Sequence, residues 1–151
     1  MKVVIASDHG GFQYKNLLLN EIKQHGFEVT DLGAFTEQSR DDYPDFAEAV
    51  ANAIMQQRAE KGILICGSGA GVSVAANKFK GVRASVCHDT YSAHQCVEHD
   101  NVNVLCIGER VIGIELAREV IFTFLSAKFS GEERHLRRLE KVIAFENKNM
   151  K

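Results

Sequence analysis

Short runs of apolar, β-branched residues alternate along this chain with longer stretches in which apolar residues recur every three or four positions. The short runs predict buried strands, and the longer stretches predict amphipathic helices. This pattern predicts strands over residues 2–7, 28–32, 62–66, 83–86 and 102–107. It predicts helices over residues 12–25, 44–60, 72–77, 90–99, 113–125 and 134–147.

Local signals refine two of these helices. The spacing in the first helix predicts that Leu17, Leu18 and Ile22 face the core, and Gly26 is expected to end that helix. Pro44, the only proline, falls just inside the start of the second helix, where its missing N–H costs nothing.

Strands separated by helices predict a parallel sheet covered on both faces. We therefore predict an α/β protein: a three-layer α/β/α Rossmann-like fold with a five-stranded parallel sheet and an extra C-terminal helix. The length of 151 residues and the absence of a linker or repeat predict a single domain over residues 1–151. Such sheets bind ligands at the carboxyl ends of their strands.

Composition and charge indicate which binding partners and which cellular compartment are expected. The chain has 18 basic and 20 acidic residues, a net charge of -2, which suggests neither nucleic acid nor an anionic membrane as partner. The apolar run at residues 3–6 is too short for a signal peptide or a membrane span. The four cysteines form no obvious disulfide framework, so a cytoplasmic location is expected.

The strongest candidate binding element is the glycine-rich turn after the third predicted strand, Cys66-Gly67-Ser68-Gly69-Ala70-Gly71. Its glycines let the backbone approach an anion closely, and its N–H groups form a cradle for negative charge. The turn lacks the third glycine of the dinucleotide fingerprint and the Gly-Lys-Ser/Thr ending of a triphosphate loop. A turn that serves only tight packing is the alternative.

Cys66 adds a reactive group to this turn. A thiol that precedes a helix start has its thiolate favoured by the backbone dipoles, and the same N–H groups could stabilise an oxyanion on a substrate. The alternative is a small apolar side chain that ends a buried strand, which is how we interpret Cys106.

The same structural interpretation is favoured for Cys87 and Cys96. A zinc site built from these two cysteines with His88 and His99 is conceivable, but the spacing matches no recurring zinc motif. No metal site is therefore predicted.

Two histidines and three arginines are further candidates. His9 and His99 are expected on the side of the sheet where the glycine turn opens, although each could be a solvated turn residue. Arg134 and Arg138 share one helix face, a suitable fork for a phosphate, unless they only form a solvated basic face. Arg110, after the fifth strand, is a further candidate.

Taken together, the motifs of this chain extend over nearly its whole length. They are Ser-Asp-His-Gly-Gly at 7–11, Asp-Tyr-Pro at 42–44, the glycine turn, Ala-Ala-Asn-Lys at 75–78, Asn-Val-Leu at 103–105, Gly-Glu-Arg-Val at 108–111 and Gly-x-x-Arg-His at 131–135. This set resembles the type B ribose-5-phosphate isomerases, a family that also includes galactose-6-phosphate and allose-6-phosphate isomerases.

The resemblance implies an aldose–ketose isomerase that interconverts ribose 5-phosphate and ribulose 5-phosphate through a cis-enediolate. It implies that Cys66 is the base, that Ser68 helps to move protons and that His99 assists ring opening. It also implies a substrate-binding set made of Asp8, His9, Tyr43, Gly67, Gly69, Ala70, Gly71, Asn101 and Arg110. The phosphate ligands that it implies are His9, Arg134 and Arg138.

The resemblance further implies no metal and no cofactor, a place in the pentose phosphate pathway, and a homodimer or dimer of dimers with shared active sites. The C-terminal helix, about 134–147, is expected to pack on the partner subunit. Some relatives use a glutamate after the glycine turn, where this chain has Val72, so Cys66 is the only candidate base. The family usually has Asn then Asp after the histidine, whereas this chain has Asp100 then Asn101.

Three alternatives stay open at this point. One is an isomerase for galactose 6-phosphate or allose 6-phosphate, because one more carbon changes only the depth of the pocket. Another is a module that binds sugar phosphates or nucleotides without chemistry, which would tolerate loss of Cys66. A nicotinamide-dependent oxidoreductase is disfavoured by the missing fingerprint.

Overall fold

The computed structural model describes residues 1–38 and 40–151. Its strands are β1 (Lys2–Ser7), β2 (Glu28–Asp31), β3 (Lys61–Cys66), β4 (Ala84–Val86) and β5 (Val104–Gly108). Its helices are α1 (Phe12–Gln24), α2 (Tyr43–Met55), α3 (Ala70–Ala76), α4 (Thr90–Asp100), α5 (Ile114–Ser126) and α6 (Glu133–Asn149). A 3₁₀ turn at His9–Gly11 joins β1 to α1.

The five strands form one parallel sheet in the order β2-β1-β3-β5-β4. Strands β3 and β5 are buried along their whole length, which explains why their sequences read as continuous apolar runs. The predicted three-layer fold and its five-stranded parallel sheet are confirmed.

Two apolar clusters cover the two faces of the sheet. Alternate residues of β1 point to opposite sides, so Val3 and Ile5 belong to one cluster while Val4 and Ala6 belong to the other. Side chains of α1, α4 and α5 complete the first cluster. Those of α2 and α3 complete the second. Both faces of the sheet are thus sealed, which leaves its strand ends as the places where a ligand could enter.

Two predictions about individual elements were wrong. Leu17 is 56% exposed, whereas Leu18 and Ile22 are fully buried, because the helical turn places Leu17 at the outer edge of the apolar face of α1. The second helix ends at Met55 and not at residue 60, since Gln57 takes a positive φ of 56° that an α-helix cannot accommodate. Pro44 does lie in the first turn of α2, and Gly26, with a φ of 89°, follows the end of α1 as predicted.

A buried lysine fixes the loop that follows β2. Lys15 of α1 is fully buried, and its Nζ lies 2.7 Å and 2.9 Å from the two carboxylate oxygens of Asp31 and 2.6 Å from the carbonyl oxygen of Ala34. The amide of Ser7 donates to the carbonyl of Gly33, and the amide of Ala34 donates to the carbonyl of Ser7. These bonds hold the loop against the end of β1, directly beside Asp8.

The last helix, α6, lies outside the two main layers and packs on α4. It is strongly amphipathic, with Leu139 buried and Val142, Ile143 and Phe145 exposed. Across residues 1–38 and 40–151, none of the helices combines the length and the apolar character needed to span a bilayer.

Candidate active site

A cleft of about 380 Å³ opens at the carboxyl ends of β1, β3 and β5. It is lined by Asp8, Tyr43, Cys66, Gly67, Ser68, Gly71, Arg110 and Val111. All of these except Val111 were predicted as site residues from the sequence. The cleft occupies the edge of the sheet at which parallel α/β proteins bind their ligands.

Cys66 ends β3 at the floor of this cleft, with only 4% of its surface exposed. The backbone N–H of Gly69 donates a hydrogen bond to its Sγ at 3.0 Å. Gly69 reaches this position because its φ of 78° folds the turn back toward the sulfur, and α3 begins at the next residue. A backbone donor aimed at the sulfur stabilises negative charge there, as a base requires.

Two other glycines of the turn allow close approach by bulky neighbours. A Cβ at Gly71 would lie 3.0 Å from the ring of Tyr43, so the ring packs directly on the backbone of the turn. A Cβ at Gly67 would lie 3.1 Å from a terminal nitrogen of Arg110, whose guanidinium covers that residue. The backbone N–H of Arg110 also donates to the carbonyl oxygen of Gly67 at 3.0 Å. The glycines therefore bring an aromatic ring and a cation to the rim of the cleft.

Asp8, directly after β1, supplies a carboxylate to the same cleft. Its Oδ1 accepts a hydrogen bond from the N–H of Gly10 at 2.8 Å, and the side chain is largely buried. Burial raises the pKa of Asp8 above its usual range, although the bond from Gly10 opposes the shift. Such a group can accept hydrogen bonds from the hydroxyls of a sugar.

His9 lies beside Asp8 and is held by a residue that the sequence did not reveal. Its Nδ1 is 2.6 Å from Oδ1 of Asp41, and its backbone N–H donates to the same oxygen at 2.9 Å. Ligand atoms of Asp8, His9 and Asp41 lie within 4.8 Å of one another, a spacing that a metal ion could use. The short contact between His9 and Asp41 is a hydrogen bond between the two side chains, so these distances do not identify a metal site.

The structure places His99 at the other edge of the sheet, contrary to the prediction. Helix α4 follows β4 and returns to the amino end of β5, so its last turn and Asn101 lie far along the strand direction from Cys66. Asn101 accepts a bond from Arg83 through its backbone carbonyl, just before β4 begins. His99 and Asn101 are therefore separated from the cleft by the length of the strands.

A second group of predicted site residues gathers at that amino edge. The ring of His99 stacks on His135 of α6, with centroids 4.0 Å apart, and its Nδ1 lies 3.0 Å from Gln95. Arg134 is exposed at the start of α6 and pairs with Glu132 at 3.1 Å.

Beside this group, Arg138 lines a separate cavity of about 540 Å³. Asp100 lines the same cavity, between α6 and the start of β4. The structure thus divides the predicted site residues into two groups, one at each edge of the sheet.

The other cysteines do not form the conceivable zinc site. The Sγ atoms of Cys87 and Cys96 are 3.8 Å apart, but His88 accepts a bond from the N–H of Gly108 and His99 stacks on His135. Cys106 is fully buried in β5 and serves as a core residue, as predicted.

Comparison with known proteins settles the family. The family model described as ribose/galactose isomerase matches residues 3–142. The chain belongs to the ribose/galactose isomerase family. It is 42% identical to ribose-5-phosphate isomerase B of Escherichia coli, with 97% of each chain covered. It is 37% identical to D-erythrulose-4-phosphate isomerase 2 of Mycolicibacterium smegmatis, again over 97% of both.

A solved structure in this family is also closely similar. Ribose-5-phosphate isomerase B of Mycoplasma genitalium with bound ribulose-5-phosphate superposes with a TM-score of 0.94 at 40% identity, covering 98% of this chain and 97% of that one. The predicted fold, the predicted resemblance and the prediction of an enzyme of the sugar-phosphate isomerase class are confirmed.

Proposed function

We propose that this isomerase interconverts ribose 5-phosphate and ribulose 5-phosphate, with Cys66 as the base. The observation that carries the proposal is the position of the Cys66 sulfur, at the floor of the cleft and within 3.0 Å of the amide of Gly69. The relatives named for ribose 5-phosphate and the Mycoplasma genitalium structure with ribulose-5-phosphate support the choice of substrate.

In the proposed reaction, the Cys66 thiolate removes the proton from the carbon next to the carbonyl of the open-chain sugar. The electron pair forms a cis-enediolate, whose oxyanion faces the N–H groups of the turn 67–71 other than those of Gly69 and Ala70, which already donate to Cys66 and Ser68. The hydroxyl of Ser68, which is exposed and accepts a bond from the amide of Ala70, moves a proton between the two oxygens. The thiol then returns the proton to the neighbouring carbon. The apolar side chain of Val72, just after the turn, cannot act as a base.

The walls of the cleft bind the sugar in this proposal. Asp8 accepts hydrogen bonds from hydroxyls, Tyr43 packs on the carbon chain, and Arg110 and His9 supply positive charge for the phosphate. Fixing the remote phosphate orients the reacting carbons against the sulfur, which lowers the entropic part of the barrier. This chemistry needs no metal and no redox cofactor.

We further infer that the active unit is a homodimer whose sites are shared. Within one chain, His99 and Asn101 lie at the amino edge of the sheet and Cys66 lies at the carboxyl edge. A second copy related by a two-fold axis brings its amino-edge group to the cleft of the first. In that arrangement Arg134 and Arg138 of one copy bind the phosphate in the other copy's cleft, and His99 assists ring opening there. The exposed apolar side chains of α6 suit burial against the partner.

The alanine variant Cys66→Ala tests the base. Without the sulfur, turnover of ribose 5-phosphate should fall at least about a thousandfold, while substrate binding changes little, because the proton acceptor acts mainly in the transition state. Steady-state rates and calorimetric binding of ribose 5-phosphate measure the two effects.

The matched control is Cys96→Ala, which removes a buried cysteine outside the cleft and should keep most of the rate. Unchanged turnover in Cys66→Ala would refute the assignment of Cys66 as the base.

A second candidate substrate is D-erythrulose 4-phosphate, because relatives named for it match this chain at 37% and 40% identity. A coupled assay over four-, five- and six-carbon sugar phosphates separates the candidates by kcat/KM. A preference for ribose 5-phosphate would also fit a role in the pentose phosphate pathway of the cytoplasm. A preference for a four- or six-carbon sugar would reject the proposed substrate.

A further inference from the structure

Asp41 makes two contacts with His9 from a segment distant in sequence. One carboxylate oxygen, Oδ1, accepts the backbone N–H of His9 at 2.9 Å and lies 2.6 Å from its ring Nδ1. The side chain of Asp41 is 12% exposed, whereas that of His9 is 32% exposed. The mostly buried carboxylate of Asp41 therefore holds His9 through two hydrogen bonds, while the ring of His9 stays partly exposed to solvent.

These two hydrogen bonds determine which ring nitrogen of His9 can bind a ligand. With Nδ1 donating to Asp41, only Nε2 remains free to donate to a substrate anion. The hydrogen bond with Asp41 raises the pKa of His9, helped by the nearby charge of Asp8 and opposed by burial and by Arg110. The carboxylate thus sets both the orientation and the charge of the ring.

The same short segment also reaches the glycine turn. Asp41 lies two residues before Tyr43, whose ring packs on Gly71. Helix α2 begins at Tyr43, so the backbone of residues 41–43 leads directly into a regular helix that fixes its position. The segment 41–43 consequently ties the phosphate-binding histidine to the turn that carries Cys66.

We propose that Asp41 is a positioning residue for substrate binding, holding His9 so that its Nε2–H donates to the phosphate of the sugar. This inference rests on the proposed function, in which His9 is a phosphate ligand. Asp41 itself does not touch the substrate.

The variant Asp41→Asn separates charge from geometry. Its amide oxygen can accept both bonds from His9, but it carries no charge, so the imidazolium is stabilised less. The KM for ribose 5-phosphate should rise about fivefold at pH 7.5 and less than about twofold at pH 5.5, where His9 is protonated in either protein. The value of kcat should change little. Asp41→Ala should raise KM at both pH values, because the ring is no longer held.

The matched control is Asp45→Asn, the same change on an exposed carboxylate four residues further along, in the first turn of α2. It should leave KM and its pH dependence as in the parent. A KM ratio for Asp41→Asn that equals the control's at both pH values would overturn the inference.

A titration of the histidine rings by NMR gives a readout that does not depend on turnover. The His9 signal is assigned by its loss in His9→Asn, and its pKa should fall in Asp41→Asn toward the ordinary value of about 6.5. Inorganic phosphate should perturb this signal in the parent and less in Asp41→Asn at pH 7.5. An unaltered His9 titration, or an equal response to phosphate, would reject the role of Asp41.

These measurements also separate the two proposals. A parent protein that does not isomerise ribose 5-phosphate would refute the proposed function, while the His9 titration and its response to inorganic phosphate would still decide the role of Asp41.

Discussion

Single residues of the glycine turn set how closely the backbone approaches the sulfur of Cys66. Gly69 has a φ of 78°, and it packs closely against β5: a Cβ at this position would lie 3.0 Å from the backbone carbonyl carbon of Ile107. The N–H that donates to Cys66 belongs to this residue. Strain at Gly69 should therefore affect both stability and chemistry.

We expect Gly69→Ala to lower the free energy of unfolding by about 1–3 kcal/mol, the cost of a left-handed alanine plus the contact with β5. It should also lower kcat at least about tenfold, because the donor to the sulfur moves. Urea titration and steady-state kinetics measure the two effects. Gly26→Ala, with a φ of 89° and open space around it, is the control that should lose stability but keep kcat.

At the residue scale, the sequence predicted the members of the cleft better than the contacts among them. The glycine turn and Cys66 stand together in the chain and were found by their spacing. Asp41 was missed because its partner His9 lies 32 positions away, and no local pattern encodes that contact. Two consecutive aspartates before Tyr43 were the only signal.

Among the helices and strands, periodicity predicted the interior elements to within one or two residues for most boundaries. Strands β3 and β5 are buried on both faces, so their apolar runs are unambiguous. The end of α2 was missed because Gln57 adopts a left-handed backbone without being glycine. Leu17 was misplaced because three adjacent leucines leave the direction of the helix face undetermined by sequence alone.

Lys15 of α1 forms a buried ion pair with Asp31 of β2. We expect Lys15→Met to lower the free energy of unfolding by about 3–5 kcal/mol, because Asp31 would keep a partly buried carboxylate without its cation. Chemical denaturation measures the change. Lys23→Met, on an exposed position of the same helix, should cost less than about 0.5 kcal/mol. Equal losses in the two variants would mean that the buried ion pair does not stabilise the fold.

For the whole molecule, the predicted site residues fall into two groups at opposite edges of the sheet, so the proposed site depends on how two chains assemble. The prediction that His99 lies beside the glycine turn is wrong, because a helix that connects two parallel strands runs antiparallel to them and ends at their amino edge. The topology corrects this, since α4 ends where β5 begins.

Mixing two inactive variants tests the shared site. In a homodimer with shared sites, each site takes Cys66 from one copy and His99 from the other. A mixed dimer of Cys66→Ala and His99→Asn therefore has one site with both defects and one site with neither. After co-refolding in equal amounts, half of the dimers should be mixed and each should keep one intact site, so about a quarter of the parent activity should return. Absence of recovery, with mixed dimers demonstrated by mass spectrometry, would exclude sites built from two chains.

The placement of Cys66 and His99 at opposite ends of the strands carries a kinetic consequence. If each site is completed by a second chain, as we propose, specific activity should fall on extreme dilution while every chain remains folded, because the dimer dissociates. Saturating sugar phosphate, which would contact both chains of the proposed dimer, should protect the enzyme against that loss.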